Sequence, residues 1–159
     1  MPGSGKTTVL RAVARHVDAA GFYTEEIRSR GERRGFRIVT FDGQKAVIAH
    51  VDYPKTHRVG KYGVDVAAID ATSAALAKSA DLYLVDEIGK MECLSDRFVE
   101  RMRALFDSRC TVLATVASRG DGFIAEVKKR EDCELWTLTR PNRHAMPARI
   151  LEWIKEFRS

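Results

Sequence analysis

The chain has 159 residues, of which 45% are hydrophobic and 31% charged, a length and composition typical of one globular domain rather than of a disordered segment. No apolar run approaches the roughly 18 residues of a membrane-spanning helix, and the glycine-rich start lacks the apolar stretch of a signal peptide, so we expect a cytoplasmic protein without membrane contact. The net charge of +5 permits nucleic-acid binding, but no motif for it accompanies the charge.

The first predicted element is a phosphate-binding loop that opens into a helix. Residues 2–8 read Pro-Gly-Ser-Gly-Lys-Thr-Thr and match the end of the consensus G-x-x-x-x-G-K-[ST], whose glycines let backbone N–H groups surround phosphates. Lys6 is then expected to reach the β- and γ-phosphates, and the Thr7 hydroxyl to coordinate Mg²⁺. The first consensus glycine would lie before Met1, and the strand that should precede the loop is missing, so we expect Met1 to be internal to a longer motif.

The helix after the loop leads into an antiparallel meander. Gly21 is the predicted stop of this helix, whose apolar face is formed by Val9, Leu10, Val13 and Val17. Three strands are predicted next, over 22–28, 35–41 and 46–51, and the turn Asp42-Gly43 joins the last two. Residues 52–63 are predicted to form a loop.

The second half alternates helices with strands, which predicts an α/β fold with a mostly parallel sheet. Asp65 is the predicted cap of a helix over 66–80, and an apolar strand over 82–85 ends in Asp86-Glu87. Ser95 is the predicted cap of a helix with the apolar stripe Phe98, Val99, Met102, Leu105 and Phe106. The remaining predicted elements are a buried strand over 111–116, a helix over 123–129, a strand over 134–138 and a helix from about 142 to 157.

Three cysteines, Cys93, Cys110 and Cys133, are widely spaced and form no Cys-x-x-Cys pair. This spacing argues against a zinc or dithiol site, and we expect none of them to be catalytic. Cys110 opens a predicted strand and is expected to act as a small buried hydrophobic residue.

The acidic pair after the apolar strand has the position of a Mg²⁺-binding site. P-loop enzymes hold Mg²⁺ partly through an acidic residue that follows a buried strand, and Asp86 fits this role. Glu87 is expected to polarise the attacking water. Two surface carboxylates at a strand end are the simpler alternative.

Hydrolysis also requires positive charge near the γ-phosphoryl oxygens. The candidates are Lys90, Arg28, Arg119 and Arg143, although each could equally be an ordinary surface residue. Arg28 and Arg119 follow strands, so both could reach the carboxyl edge of the sheet, where ligands bind in open α/β folds.

Several segments together resemble a known family. They are residues 2–8, Gly-Phe-Tyr-Thr-Glu-Glu-Ile-Arg at 21–28, Gly-Phe-Arg-Ile at 35–38, Val-Gly-Lys-Tyr-Gly-Val at 59–64, Asp-Glu-Ile-Gly-Lys-Met-Glu at 86–92, and Asn142-Arg143. The chain resembles, over essentially its whole length, the nucleoside-triphosphatase family of the thermostable nucleotide phosphohydrolase type, which includes a human cancer-related relative.

The resemblance implies a RecA-like three-layer sandwich, a single P-loop NTPase domain over 1–159, and slow Mg²⁺-dependent hydrolysis of ATP, GTP and other NTPs to NDP and phosphate. It implies Lys6 and Glu87 as catalytic residues, and Thr7 and Asp86 as metal ligands. The implied nucleotide-binding residues are Gly3, Ser4, Gly5, Lys6, Thr7, Thr8, Leu84, Val85, Asp86, Glu87, Ile88, Gly89, Lys90, Met91, Asn142 and Arg143. A monomer is expected.

Two other functions remain open at this stage. A small P-loop kinase has a similar size and loop, and the arginines between 28 and 34 could belong to its lid; we favour an exposed hairpin turn because strand-like runs flank them. A nucleotide-dependent switch that associates with nucleic acid is also compatible with the charge.

Overall fold

The computed structural model describes residues 5–158. In this part of the chain, one sheet contains seven strands, namely β1 (Ala20–Ser29), β2 (Glu32–Thr40), β3 (Lys45–His50), β4 (Arg58–Val59), β5 (Tyr62–Val64), β6 (Leu82–Ile88) and β7 (Thr111–Val116). The α-helices are α1 (Lys6–Ala14), α2 (Val66–Thr72), α3 (Asp96–Phe106), α4 (Gly122–Lys128) and α5 (Met146–Arg158). Gly3, Ser4 and the strand expected before the loop lie outside the described residues.

The sheet is mixed, with the strand order β4-β5-β3-β2-β1-β6-β7. β6 lies between β1 and β7 and runs parallel to both. The other neighbouring strands pair antiparallel. The α/β fold with an inserted meander is therefore confirmed, but the sheet is mixed rather than mostly parallel, because the meander adds antiparallel pairs. β1, β6 and β7 run in the same direction, so their carboxyl ends point to one edge of the sheet.

The meander is larger than the sequence pattern predicts. The Asp42-Gly43 turn is confirmed: Gly43 has a φ of 95° and donates its N–H to the Thr40 carbonyl at 3.0 Å. The loop predicted over 52–63 is wrong in part, because it contains β4 and the start of β5. These strands are too short to show a pattern of their own, and they exist because β5 pairs with β3.

Gly21 is not the stop of the first helix, so that prediction is wrong. α1 ends at Ala14, and Gly21 lies in β1 with a φ of 114°. A Cβ at this position would lie 2.0 Å from the backbone carbonyl oxygen of Leu84 in β6. The glycine is therefore needed for the close approach of β1 to β6.

Helix caps were predicted more accurately than helix lengths. The Ser95 hydroxyl accepts a hydrogen bond from the Phe98 N–H at 3.0 Å and begins α3 as expected. Asp65 caps α2 in the same way, through the Ala68 N–H at 3.1 Å. α2 is shorter than predicted, because a 3-10 turn over Ser73–Leu76 replaces its second half. α5 begins at Met146 rather than near 142.

Two apolar cores lie on opposite faces of the sheet and are separated by β6. Tyr83 and Val85 of β6 face a core that contains side chains from α3 and α4, including Met102. Leu82 and Leu84 face the other core, which α1 and α5 complete. This alternation produces three layers, with the sheet between two layers of helices.

The outer edge of β7 pairs with no strand among residues 5–158. The boundaries of β7 are as predicted, but its residues are half-buried rather than fully buried. The predicted strand over 134–138 is wrong: this segment forms no strand, because it has no paired neighbour in the described chain. A cavity of about 500 Å³ lies beside β7 and is lined in part by Trp136, Ile150 and Trp153.

Candidate active site

α1 begins at the carboxyl edge of the parallel strands, and Gly5 leads into it. Gly5 has a φ of 87°, a left-handed conformation that favours glycine, and its carbonyl accepts the Val9 N–H at 3.0 Å. The first turn of α1 lies at the same edge of the sheet as Asp86 and Glu87, because Thr7 contacts Asp86 and Lys6 contacts Glu87. Such a terminus attracts anions, including phosphate groups.

Lys6 joins α1 to two strands. Its Nζ donates to Oε2 of Glu87 at 3.1 Å and to the Val116 carbonyl at the end of β7 at 2.9 Å. These partners are 81 and 110 residues away in the sequence. The structure therefore brings together the two residues that were predicted to be catalytic.

Asp86 is 2% exposed and accepts hydrogen bonds on both carboxylate oxygens. Oδ2 accepts from the Thr7 hydroxyl at 2.7 Å, from the Thr24 hydroxyl at 3.0 Å and from the Thr24 N–H at 3.3 Å. Oδ1 accepts from the Thr115 hydroxyl at 2.6 Å. Thr7 and Asp86, both predicted metal ligands, are therefore in direct contact.

Thr24 and Thr115 were missed in the sequence analysis. Thr115 lies near the carboxyl end of β7, and Thr24 lies in the middle of β1, two residues after Phe22, the last residue of β1 that pairs with β6. The parallel register pairs Val85 with Phe22 on one side and with Ala114 on the other. A threonine within a predicted strand is the only sequence signal for either residue. It becomes informative only when the strand order is known.

The pair Thr7 and Asp86 fits a Mg²⁺ ion. Hydroxyl and carboxylate oxygens are the donors this ion prefers, and Mg–O distances of about 2.1 Å put neighbouring octahedral ligands about 3 Å apart. The 2.7 Å contact is close to that spacing. No group of three or more His, Cys, Asp or Glu side chains within residues 5–158 is arranged to hold a metal, so water and phosphate oxygens would complete the coordination shell.

Glu92 is a buried carboxyl group next to the acidic pair, and the sequence analysis assigned it no role. It is 5% exposed and lies in a 3-10 turn, Glu92–Leu94, that follows β6. Burial raises the pKa of Glu92 to about 8, and the charges of Glu87 and Asp86 add to this effect. Glu92 is therefore mostly uncharged at neutral pH.

The other predicted residues of the second nucleotide-binding stretch have different environments. The side chains of Leu84, Val85 and Ile88 are fully buried in the two cores. Any contact that these three make with a nucleotide would therefore use backbone atoms. Lys90 is exposed and Met91 half-buried, and Thr8, in the first turn of α1, is also exposed.

The predicted arginines lie at different distances from the loop. Arg28, near the β1–β2 turn, donates to Oε2 of Glu26 at 2.9 Å and to the Gly31 carbonyl at 3.1 Å. Arg119 is exposed in the segment after β7. Arg143 packs on Gly5, where its Nε would be 3.5 Å from an added Cβ. This Nε is buried and has no hydrogen-bond partner among the described residues.

Asn142 organises the segment that carries Arg143. Its Oδ1 accepts the Thr139 N–H at 2.8 Å, and its Nδ2 donates to the Thr137 carbonyl at 2.9 Å. Both ends of the amide are thus used within the segment. The direct effect of Asn142 in this structure is to hold the backbone that places Arg143 over Gly5.

The sequence is similar to a family of nucleoside-triphosphatases. The profile of a family described as NTPase matches residues 1–151. The chain is 40% identical over 159 residues to the nucleoside-triphosphatase THEP1 of Thermotoga maritima, covering 97% of this chain and 91% of the relative. It is 29% identical to the human cancer-related nucleoside-triphosphatase, covering 92% and 89% of the two chains.

Solved structures of related proteins also match this chain. The crystal structure of THEP1 from Aquifex aeolicus matches with a TM-score of 0.87 and 31% identity, covering 96% of this chain and 94% of that one. The solution structure of the human cancer-related enzyme matches with a TM-score of 0.84 and 28% identity, covering 100% and 96%. No helix among residues 5–158 is long and apolar enough to cross a membrane. The chain belongs to the nucleoside-triphosphatase family and is an enzyme of that type, with a P-loop NTPase fold.

Proposed function

We propose that the enzyme hydrolyses several nucleoside triphosphates to the diphosphate and inorganic phosphate in a Mg²⁺-dependent reaction. The observation that carries this proposal is the pairing of loop and strand residues. Thr7 contacts Asp86, and Lys6 contacts Glu87, although each pair is about 80 residues apart in the sequence. This arrangement provides a phosphate-binding cation, two metal-binding oxygens and a carboxylate base in one place.

The contacts of Lys6 suggest how substrate binding frees the base. Lys6 is hydrogen-bonded to Glu87 and to the Val116 carbonyl. A triphosphate at the N-terminus of α1 would attract Lys6 more strongly than one carboxylate does. Oε2 of Glu87 can then accept a hydrogen bond from water, whose oxygen attacks the γ-phosphorus while the bond to the β-γ bridging oxygen breaks.

Thr7 and Asp86 would hold Mg²⁺ next to the phosphates. The ion would neutralise part of the charge that develops on the phosphate oxygens during the reaction. The chain contributes the orientation of these ligands, because the hydroxyl groups of Thr24 and Thr115 fix the Asp86 carboxylate from both sides. Such neighbours commonly tune metal affinity.

Broad base selectivity is supported by the groups available near the loop. One acceptor site and one donor of the Asn142 amide are used within its own segment, which restricts how this side chain can read the hydrogen-bonding edge of a base. Arg143 offers a guanidinium group, which can stack on the face of any base and attract its phosphates by charge. We therefore expect ATP and GTP to be hydrolysed at similar rates.

The decisive experiment measures phosphate release from a panel of NTPs with Mg²⁺ and with EDTA. We expect release from at least ATP and GTP without any acceptor, and its loss in EDTA. Lys6→Ala should abolish binding or turnover, whereas Lys155→Ala, which removes a 76% exposed lysine, should not. Release that requires a phosphate acceptor would instead indicate a kinase.

A monomeric state and a cytoplasmic location are also part of the proposal. Sedimentation of the purified chain with and without nucleotide measures the oligomeric state directly. The net charge of +5 permits nucleic-acid binding, but no motif supports it. Salt-dependent binding of RNA or DNA that changes with nucleotide state would favour a nucleotide-dependent switch.

A further inference from the structure

Glu87 has different neighbours on its two carboxylate oxygens. Oε2 accepts a hydrogen bond from Lys6, and Oε1 points towards Gly89. In the mechanism proposed above, Lys6 leaves Glu87 when a triphosphate binds. The Oε1 side must then keep the carboxylate aligned with the attacking water.

Gly89 brings Glu92 to that side. A Cβ added to Gly89 would lie 2.8 Å from Oε1 of Glu87 and 2.9 Å from Oε1 of Glu92. The two carboxyl oxygens therefore border the same small space, at most about 6 Å apart. The 3-10 turn that carries Glu92 is held close to β6 by the Cys93 N–H, which donates to the Gly89 carbonyl at 3.0 Å.

We propose that Glu92 is a positioning residue: its buried side chain confines Oε1 of Glu87 from the side opposite Lys6 and fixes the orientation of that carboxylate for hydrolysis. This inference rests on the proposed function of Glu87 as the base. Glu92 acts through Glu87 and has no contact with the reacting atoms. The absence of a side chain at Gly89 is what allows the two carboxyl groups to share this space.

The charges around Glu92 explain why its side chain must be uncharged to hold the Glu87 carboxylate in place. Titratable and charged groups surround Glu92 on four elements. β6 contributes Asp86 and Glu87, and the turn that carries Glu92 contributes Cys93. The helices contribute Asp70 of α2, which accepts a hydrogen bond from Ser95, and the exposed Asp96 and Arg97 of α3. Burial and the two β6 carboxylates raise the pKa of Glu92 to about 8. Above that pH, an ionised Glu92 would repel Glu87 and disturb its alignment.

Three variants and one control test the positioning role. Glu92→Gln keeps the shape of the uncharged acid, Glu92→Ala removes the group, and Gly89→Ala fills the shared space. Glu100→Gln, at an exposed position of α3, is the control. Values of kcat and KM for ATP hydrolysis are measured from pH 6 to pH 9.5, and thermal unfolding is followed over the same range.

At pH 7 we expect Glu92→Gln to keep kcat within about threefold of the wild type, whereas Glu92→Ala and Gly89→Ala lose about tenfold or more in kcat with little change in KM. The kcat of the wild type and of Glu100→Gln should fall by up to about tenfold between pH 7 and pH 9, because about a tenth of Glu92 remains protonated one unit above its pKa. Glu92→Gln should lack this fall. Its Tm should also decline less with rising pH than that of the wild type.

Two results would overturn the inference while leaving the proposed function intact. One is a pH profile of Glu92→Gln that superimposes on that of the wild type up to pH 9.5. The other is a Glu92→Ala variant that folds and keeps the wild-type kcat. If the wild type released no phosphate from any NTP while the Tm difference persisted, the proposed function would be wrong, and the positioning role would be overturned with it. In that case Glu92 would remain a buried acid. Failure of the proposed function is recognised by the lack of phosphate release from the wild type, whereas failure of the positioning role alone leaves that release intact.

Discussion

Asp86 shows how much of the site depends on individual hydroxyl groups. Three threonines from α1, β1 and β7 donate to this single buried carboxylate. A buried charge without such donors is costly, so each hydroxyl contributes to stability, and in the proposed mechanism it also helps to orient a metal ligand. The donor from β7 is far from the phosphate-binding loop in the sequence and can be removed without altering the loop.

Thr115→Val should lower the free energy of unfolding by about 1.5–3 kcal/mol, because it leaves Oδ1 of Asp86 without the hydrogen bond at 2.6 Å. Urea unfolding measures this difference. Thr115→Ser keeps the hydroxyl, so its free energy of unfolding should fall much less. A larger loss of stability in Thr115→Ser than in Thr115→Val would show that the methyl group of Thr115, and not its hydroxyl, is important.

Glu87→Gln should keep nucleotide binding and lose about 10²–10⁴-fold in kcat, because an amide cannot accept a proton from the attacking water. Titration with a fluorescent nucleotide and measurement of phosphate release separate the two effects. Glu152→Gln, at a 76% exposed position, provides a control for the loss of one negative charge. Turnover near that of the wild type would show that Glu87 is not the base.

The sequence was sufficient for the residues that belong to local motifs. Lys6, Thr7 and Asp86 were predicted from the loop and from the apolar strand before the acidic pair. Thr24 and Thr115 could not be predicted, because their contacts depend on which strands flank β6. Glu92 was missed for a similar reason: its importance arises from a turn that folds back on Gly89, which no periodicity records.

The β1–β6 contact is the element-scale feature on which the site depends. It aligns Thr24 with Asp86, and it is possible only because Gly21 lacks a side chain. Elements with a strong local pattern, such as α3 with its Ser95 cap, were predicted well. β4, β5 and the segment over 134–138 were not, because strand formation there is decided by the presence or absence of a pairing neighbour.

Gly21→Ala should lower the free energy of unfolding by more than about 3 kcal/mol, because a Cβ 2.0 Å from the Leu84 carbonyl forces the two strands apart. Gly43→Ala is the matched control. Gly43 also has a positive φ, of 95°, but nothing lies within 4 Å of an added Cβ. The free energy of unfolding of Gly43→Ala should therefore fall by only about 1–2 kcal/mol. Similar values for the two variants would mean that φ alone explains the effect.

On the scale of the whole molecule, the two cores share β6 and should unfold together. Trp136 and Trp153 both pack against the core formed by α1 and α5, while Met102 is fully buried in the other core. The tryptophans therefore report on one face of the sheet and can reveal a change made on the opposite face.

Met102→Ala should destabilise the protein by about 2–5 kcal/mol. We expect the midpoint of urea unfolding to shift equally in tryptophan fluorescence and in far-UV circular dichroism, because chains of this size usually unfold as one cooperative unit. Arg101→Ala, at an exposed neighbouring position, should leave both midpoints nearly unchanged. A shift seen by circular dichroism alone would mean that the two faces unfold independently.

The order of the strands also has a consequence for folding. β1, β2 and β3 are neighbours in both sequence and space and can pair through short turns. By contrast, Lys6 reaches Glu87 and Val116, which lie 81 and 110 residues away, only after β6 has docked beside β1 and β7 beside β6. Contacts over such separations form slowly, since a long loop must close before they contribute. During refolding, protection of the meander amides should therefore precede nucleotide binding, and the site should be among the last parts of the molecule to form.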